Sequence, residues 1–255
     1  MAKVAVLGSG VSGLLTAKAL VDRGFSEKDI TIFTKKKKQP QPRGFMILHD
    51  NCRMDLEMTK ILMLFFGNKE KYKKKLGYDN DIECSWNKYT GAETLFGYNM
   101  FQAMDILYNR FENLMIQSVI APDDVPELKN SYNHIISTIP PFNIYRDYAV
   151  EHVDIYITKK PTQNIDDIPR VIYYGDDTTL LRASENLFGW DFVEYSEPFE
   201  DSVKVHKPIK IMGKSPKDDK IIQVGRYGKW NKKILAHQVY WNIYGMTKKG
   251  SIQTS

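Results

Sequence analysis

Three glycines near the start of the chain, Gly8, Gly10 and Gly13 in VAVLGSGVSGLLTAKALVDRG, carry the spacing G-x-G-x-x-G that lets a backbone close around a diphosphate. Each has its own task. The first permits a tight turn after a strand. The second lets the chain approach a pyrophosphate with no Cβ in the way, and the third lets the following helix pack close to the strand. Ser9, Val11 and Ser12 complete the loop, where N–H groups and the positive end of a helix dipole face the phosphates. The chemistry implied is dinucleotide binding; the glycines alone do not say which dinucleotide.

The elements needed to position such a loop are present around it. Residues 3–7 read as a short, apolar, buried parallel strand. Residues 11–23 have apolar positions near helical spacing and stop at Gly24. Residues 29–34 (DITIFT) read as the second strand, so a β-α-β unit is complete in about thirty residues. An acidic residue usually ends that second strand and takes the ribose hydroxyls. Here Thr34 stands there, followed by Lys35 and Lys36, which leaves open a 2′-phosphate and hence NADP.

Further along, Pro40 and Pro42 make residues 39–43 a loop. Residues 54–66 and 99–111 are expected to be helices, the second with Met100, Met104, Leu107, Tyr108 and Phe111 on its apolar face. Short strands are expected at 82–86 and 92–98 around a turn at 87–91. A buried strand is expected at 132–139, stopped by Pro140 and Pro141, followed by strands at 152–157, 171–174, 188–195 and 221–224 and a closing helix at 235–244. This order predicts an α/β protein: a Rossmann-type dinucleotide-binding domain with an inserted, mainly antiparallel β-sheet substrate domain. The expected division is 1–50, 115–145 and 218–255 for the first, and 51–114 and 146–217 for the second.

Composition narrows the class. An apolar fraction of 42% over 255 residues is that of a folded globular chain. No run approaches the ~18 apolar residues of a membrane span, and the early glycines interrupt any signal-peptide core. Two cysteines, Cys52 and Cys84, suit a reducing compartment, so a cytoplasmic location is expected. A net charge of +5 is too mild for a dedicated nucleic-acid binder. Lysines do cluster at 35–38 and at 69, 71 and 73–75, either as solvated segments or as phosphate-attracting surface.

Four stretches in the same order resemble the UDP-galactopyranose mutase family and, more broadly, the amine-oxidase-like FAD proteins. They are the loop at 8–13; residues 44–51 (GFMILHDN), similar to the mutase loop G-x-H-x-F-H-T-D-N but one residue shorter; VIYYGDD at 171–177 with Leu181, Arg182, Ala183 and Ser184; and VGRYGKW at 224–230. Family members are longer, Met46 stands where the family has a histidine beside the flavin, and Leu181 stands in place of its tyrosine. The resemblance implies FAD and a reduced, bacteriophage-type member. The second turn, Gly225-Arg226, agrees, because a long dinucleotide needs contacts from a second part of the chain. Arg226 would lie near the pyrophosphate or the flavin's pyrimidine edge, where a cation stabilises reduced flavin. The expected cofactor-binding residues are thus 8–13, Thr34, Lys35, Arg43, Gly44, Gly225, Arg226 and Trp230.

His49 and Arg182 are the candidate catalytic residues. His49 either flanks the flavin or is a capped loop histidine. Arg182 either grips an anionic substrate group or pairs with Asp176 or Asp177. Cys52 beside Arg53 is either a lowered-pKa thiol or an inert one. The remaining histidines show no metal-ligand spacing, so no metal site is expected, and no nucleophile-elbow motif occurs. Phe188, Trp190 and Phe192 alternate and line one sheet face, as core or as a stacking surface. The leading expectation is an FAD-dependent oxidoreductase taking a hydride from a C–N or C–O bond of a small-molecule or modified-nucleotide substrate. The alternatives are flavin-dependent tailoring of an aminoacylated pyrimidine in phage DNA, a non-redox mutase-like isomerase, and an NADP-binding module. No membrane partner is expected.

Overall fold

Five short apolar segments pair side by side, all parallel, in the order β13 (Ile221–Gln223), β7 (His134–Ser137), β1 (Val4–Leu7), β2 (Ile30–Thr34), β6 (Met115–Gln117). Strand β1 at the centre is buried along its whole length, as a strand covered on both faces must be. This is the parallel sheet of the computed structural model, which describes residues 2–38, 44, 46–77, 92–163, 168–212, 218–231 and 233–246. The expected strand at 82–86, its turn, Arg43, Phe45 and Cys84 lie outside the described residues.

Helix α1 (Val11–Asp22) buries Leu14, Leu15, Ala17, Ala19 and Leu20 between this sheet, α3 (Met100–Phe111) and α6 (Ala236–Tyr244). Asn99 caps α3 by accepting from the Phe101 and Gln102 N–H groups. Arg23 donates to the carbonyls of Ile243 and Met246 and so closes the end of α6. Helix α3 packs its Met100, Met104, Leu107 and Phe111 in one core with α1.

The second sheet is mixed, in the order β12 (Val203–Met212), β8 (Ala149–Pro161), β11 (Trp190–Tyr195), β10 (Leu180–Leu187), β9 (Arg170–Gly175), β4 (Met58–Gly67), β5 (Ala92–Asn99), β3 (Ile47–Leu48). Only β4 and β9 pair in parallel; the other neighbours are antiparallel. Strand β4 corrects the helix expected at 54–66. Its dense apolar run, 61–66, fits either period, and pairing with β5 on one side and β9 on the other decides for strand. Strands β10 and β12 have no clear signal in the sequence. The first is hidden by its polar residues, and the second is an edge strand in which Pro208 sits at a register shift.

The second lysine cluster forms α2 (Lys69–Lys75), and three of its lysines are ion-paired. Lys75 bonds to Asp176 and to the carbonyls of Tyr174 and Leu180, Lys71 pairs with Asp177, and Lys73 pairs with Glu70. Short helix α4 (Val125–Ser131) packs against β7. Among the described residues no helix is long and apolar enough to cross a membrane.

Candidate functional site

The loop after β1 is held by backbone contacts that tolerate no side chain at two of its three glycines. Gly8 donates to the Phe33 carbonyl and adopts φ +104°, and the Leu7 carbonyl accepts from both the N–H and the hydroxyl of Thr138. A Cβ on Gly8 would lie 2.5 Å from Thr138 Oγ1, and one on Gly13 would lie 1.8 Å from the Gly8 carbonyl oxygen. The helix therefore starts directly against the turn. Gly10 differs: it is exposed, and a Cβ there would meet nothing within 4 Å. It stands at the N-cap of α1, where no side chain caps the helix and no acidic residue occupies the first turn. That leaves a positive helix end facing open space beside a bare backbone.

The second glycine turn reaches the same place from the other end of the chain. Val224 donates to the Ser137 carbonyl, and the chain turns at Gly225 with φ +76° into α5 (Gly225–Gly228). A Cβ on Gly225 would lie 2.7 Å from Ser12 Oγ and 3.6 Å from Val239 in the first turn of α6, and one on Gly228 would lie 2.5 Å from the Ser137 carbonyl. The two turns therefore touch. Arg226, within α5, acts electrostatically on Lys207 of β12.

Thr34, at the end of β2, is buried, and its hydroxyl donates to the Lys36 carbonyl at 2.9 Å. A hydroxyl has one proton to give, so the 2.6 Å contact with Ser9 is a bond donated by Ser9. Both side chains tie the glycine loop to β2, while Lys35 stays exposed.

The segment from Gly44 bridges the two sheets. Gly44 has φ +92°, and a Cβ on it would lie 2.9 Å from Glu194 Oε1 and 3.0 Å from Ile157, both in the mixed sheet. Met46 packs on the other core, around α1. His49 meets His237 of α6 edge to face, with ring centroids 5.6 Å apart. Burial lowers the pKa of both imidazoles; the nearby His237 lowers His49 further, while Asp50 acts to raise His237. Cys52 is buried at φ +50°, with its N–H bonded to the Asp50 carboxylate. Burial, then Asp50, pushes its thiol up to about 12, which overturns the lowered-pKa option.

With this geometry in view, the likeness to known structures can be read. A reduced UDP-galactopyranose mutase superposes over 98% of this chain and 97% of its own, with a TM-score of 0.55 and 11% identity. The tetracycline destructase Tet(51) covers 96% of this chain and 80% of its own, with a TM-score of 0.55 and 9% identity. The chain shares their fold. CtdE in complex with FAD aligns with 76% of this chain at a TM-score of 0.45 and 11% identity, and there the chain spans 58% of the CtdE length. No protein-family model and no curated protein matches the chain.

The mixed sheet carries charge in its interior. Arg182 of β10 pairs with Glu194 of β11, and Lys207 of β12 reaches the other carboxylate oxygen at 3.0 Å. Burial raises the Glu194 pKa, but Arg182 and Lys207 outweigh it and hold the group at about 2. Burial lowers the Lys207 pKa, and Arg182 and Arg226 lower it further against the pull of Glu194. Arg182 is therefore ion-paired, but not to Asp176 or Asp177, which belong to Lys75 and Lys71. Two cations, one from β10 and one from β12, share one carboxylate of β11 beside Gly44, with β8 lying between β11 and β12.

Trp230, expected at the cofactor, is only 2% exposed, and its indole N–H donates to the Glu151 carbonyl at 2.8 Å. It fastens the second turn to β8. Of the aromatic stripe, Phe192 is core, stacked on Phe101, whereas Trp190 is half-buried under Lys159, whose Nζ lies 3.7 Å from the ring centre. Two concavities, of about 320 and 390 Å³, accompany these features. The first is on the mixed sheet near Lys160, Arg170 and Asp191, and the second lies between β13 and α6, lined in part by Val224 and Lys229, which flank the second glycine turn.

Sequence spacing missed one more cluster. His152 and Asp154 share a face of β8, and His206 lies opposite Asp154 on β12. The pattern H-x-D on one strand was readable, but its partner 52 residues away becomes visible only through the strand register.

Proposed function

We propose that this chain binds FAD across its two glycine turns and works as a flavin-dependent oxidoreductase on a C–N or C–O bond. The observation that supports this reading is the contact between Gly225 and Ser12, which joins both turns at the open N-terminus of α1. The residues fit the group. Gly10 offers bare backbone with free space above it, and the helix end behind it is positive with no anion of its own. When bound, FAD supplies the hydride acceptor.

The chain's own residues then have defined tasks. The N–H groups of Val11, Ser12 and Gly13 bind the diphosphate, and Gly225 keeps that end of the cleft closed without a side chain. Arg226 and the Arg182–Glu194–Lys207 group carry excess positive charge toward the cleft, which suits an electron-rich ring or an anionic substrate. His49 and His237, held neutral by burial, are acceptors for a substrate proton. The visible absorption spectrum of the purified protein tests the reading: flavin bands are expected, and protein that stays colourless after FAD is added overturns it.

A second reading has its own supporting observation. The end of β2 carries no carboxylate, and Lys35 and Lys36 are exposed beside it, as a 2′-phosphate would require. Tighter binding of NADPH than of FAD would favour it.

A further inference from the structure

Two histidines and an aspartate at the edge of the mixed sheet converge on one face, and we propose that they form a site for a divalent first-row transition ion of the zinc, nickel or copper kind that imidazole nitrogen favours. Strand alternation puts His152 and Asp154 on the same side of β8, and the antiparallel register puts His206 directly opposite Asp154. Asp154 Oδ1 lies 2.6 Å from His206 Nδ1 and 3.4 Å from His152 Nε2. All three donor atoms fall within 4.8 Å of one another. An ion with bonds of about 2.0–2.2 Å separates neighbouring ligand atoms by about 3–3.5 Å, so small side-chain rotations complete the set. Two nitrogens and one carboxylate oxygen leave further coordination positions to water, the composition of an open rather than a closed site.

The surroundings fix these ligands in the way outer groups orient a metal site. Lys204 Nζ holds the other Asp154 oxygen, Oδ2, at 2.5 Å, which turns Oδ1 toward the imidazoles without using it up. The His206 carbonyl accepts from the Tyr227 hydroxyl at 2.9 Å, and the Glu151 carbonyl, next to His152, accepts from Trp230 at 2.8 Å. The His152 ring packs in T-shaped contacts with His206 and Trp230, at centroid distances of 4.5 and 6.4 Å. Both ligand-bearing strands are thus braced by the segment that follows the second glycine turn. The two histidine side chains are 38% and 52% exposed, so an ion can reach them from solvent.

The test uses the full chain stripped with EDTA, with no flavin added. Titration with zinc chloride followed by calorimetry should give one ion per chain with micromolar affinity. Cobalt chloride should give visible bands of nitrogen and oxygen ligation without a thiolate band. His206→Asn and Asp154→Asn should each weaken zinc at least about tenfold, while His49→Gln should leave it unchanged. Absence of saturable binding, a thiolate band, or loss of binding in His49→Gln but not in His206→Asn overturns the proposal. X-ray absorption of the zinc-loaded, unmutated chain keeps it falsifiable if a variant fails to fold: fewer than two imidazole ligands overturns it as well.

Discussion

The two sheets place chemistry by opposite means. In the parallel sheet the backbone does the placing: strands β1 and β13 end in turns at Gly8 and Gly225 that admit no side chain, and the polar groups nearby, Ser9, Thr34 and Thr138, are spent on holding the turns together. In the mixed sheet, side chains do the placing. Arg182, Glu194 and Lys207 meet from β10, β11 and β12, over the intervening β8, and His152, Asp154 and His206 meet across β8 and β12. A backbone site is local in sequence and rigid in shape. A cross-strand site is scattered in sequence and depends on register, because a slip of one residue turns every side chain to the other face. The two regions should therefore fail in different ways.

The largest effect is expected where backbone meets backbone. Gly13→Ala puts a methyl 1.8 Å from the Gly8 carbonyl oxygen, and neither partner is a side chain that can swing aside. The loss should reach about 4 kcal/mol or more, since α1 must separate from the turn, and urea denaturation measures it. If Gly13→Ala folds with near-normal stability, the close packing of loop and helix is wrong.

In the mixed sheet the corresponding break is electrostatic. Glu194→Gln keeps the shape but leaves Arg182 and Lys207 buried without their shared carboxylate, and should cost about 3 kcal/mol. Its pH signature separates it from a packing defect. The Glu194 pKa is about 2 in the fold against 4.5 ordinarily, so its stabilisation is full above the ordinary value and is lost as pH falls toward 2. The unmutated chain should lose stability over that window, and Glu194→Gln should show a shallower loss.

Gly225→Ala should cost less, about 1–3 kcal/mol, because the left-handed φ of +76° and a Ser12 side chain at 2.7 Å both resist a methyl, yet Ser12 can rotate. Ser12→Gly in the same chain should recover part of it, and a double-mutant cycle reads that coupling. Smaller again is the contribution of the histidine pair. Both imidazoles have lowered pKa values, so the neutral forms are favoured in the fold; stability is full above the ordinary histidine value and declines as pH falls through it. Melting temperature between pH 7.5 and 5.5 should fall less in His49→Gln than in the unmutated chain.

This contrast also explains what could be read in the chain itself. Buried strands and the glycine loop are local patterns, so β1, α1, β2, β7, β13, α3 and α6 follow from periodicity and glycine spacing to within a few residues. The run at 61–66 supports either helix or strand until neighbours β5 and β9 are known. Glu194, Lys207 and Asp154 carry no local signal, because each gains its meaning from a residue on another strand. Trp230 shows the same dependence: the bond from its indole N–H to β8 has no local signature in the chain.

The finest separation of the two modes comes from Gly10. A Cβ there meets nothing within 4 Å, and the backbone at φ −68° and ψ 177° suits alanine as well as glycine. Because alanine is a poorer N-cap than glycine, Gly10→Ala should cost about 1 kcal/mol or less, far from the collapse expected of Gly13→Ala three residues on. Space that is free in the protein alone is the space a diphosphate would take, so the same methyl should weaken FAD at least about tenfold, or 1.4 kcal/mol. Thermal melting and quenching of flavin fluorescence, measured on one preparation, read the two quantities separately. Unchanged flavin affinity in Gly10→Ala would mean that the diphosphate does not cross this glycine. A large drop in melting temperature would instead make Gly10 a packing residue and erase its difference from Gly13.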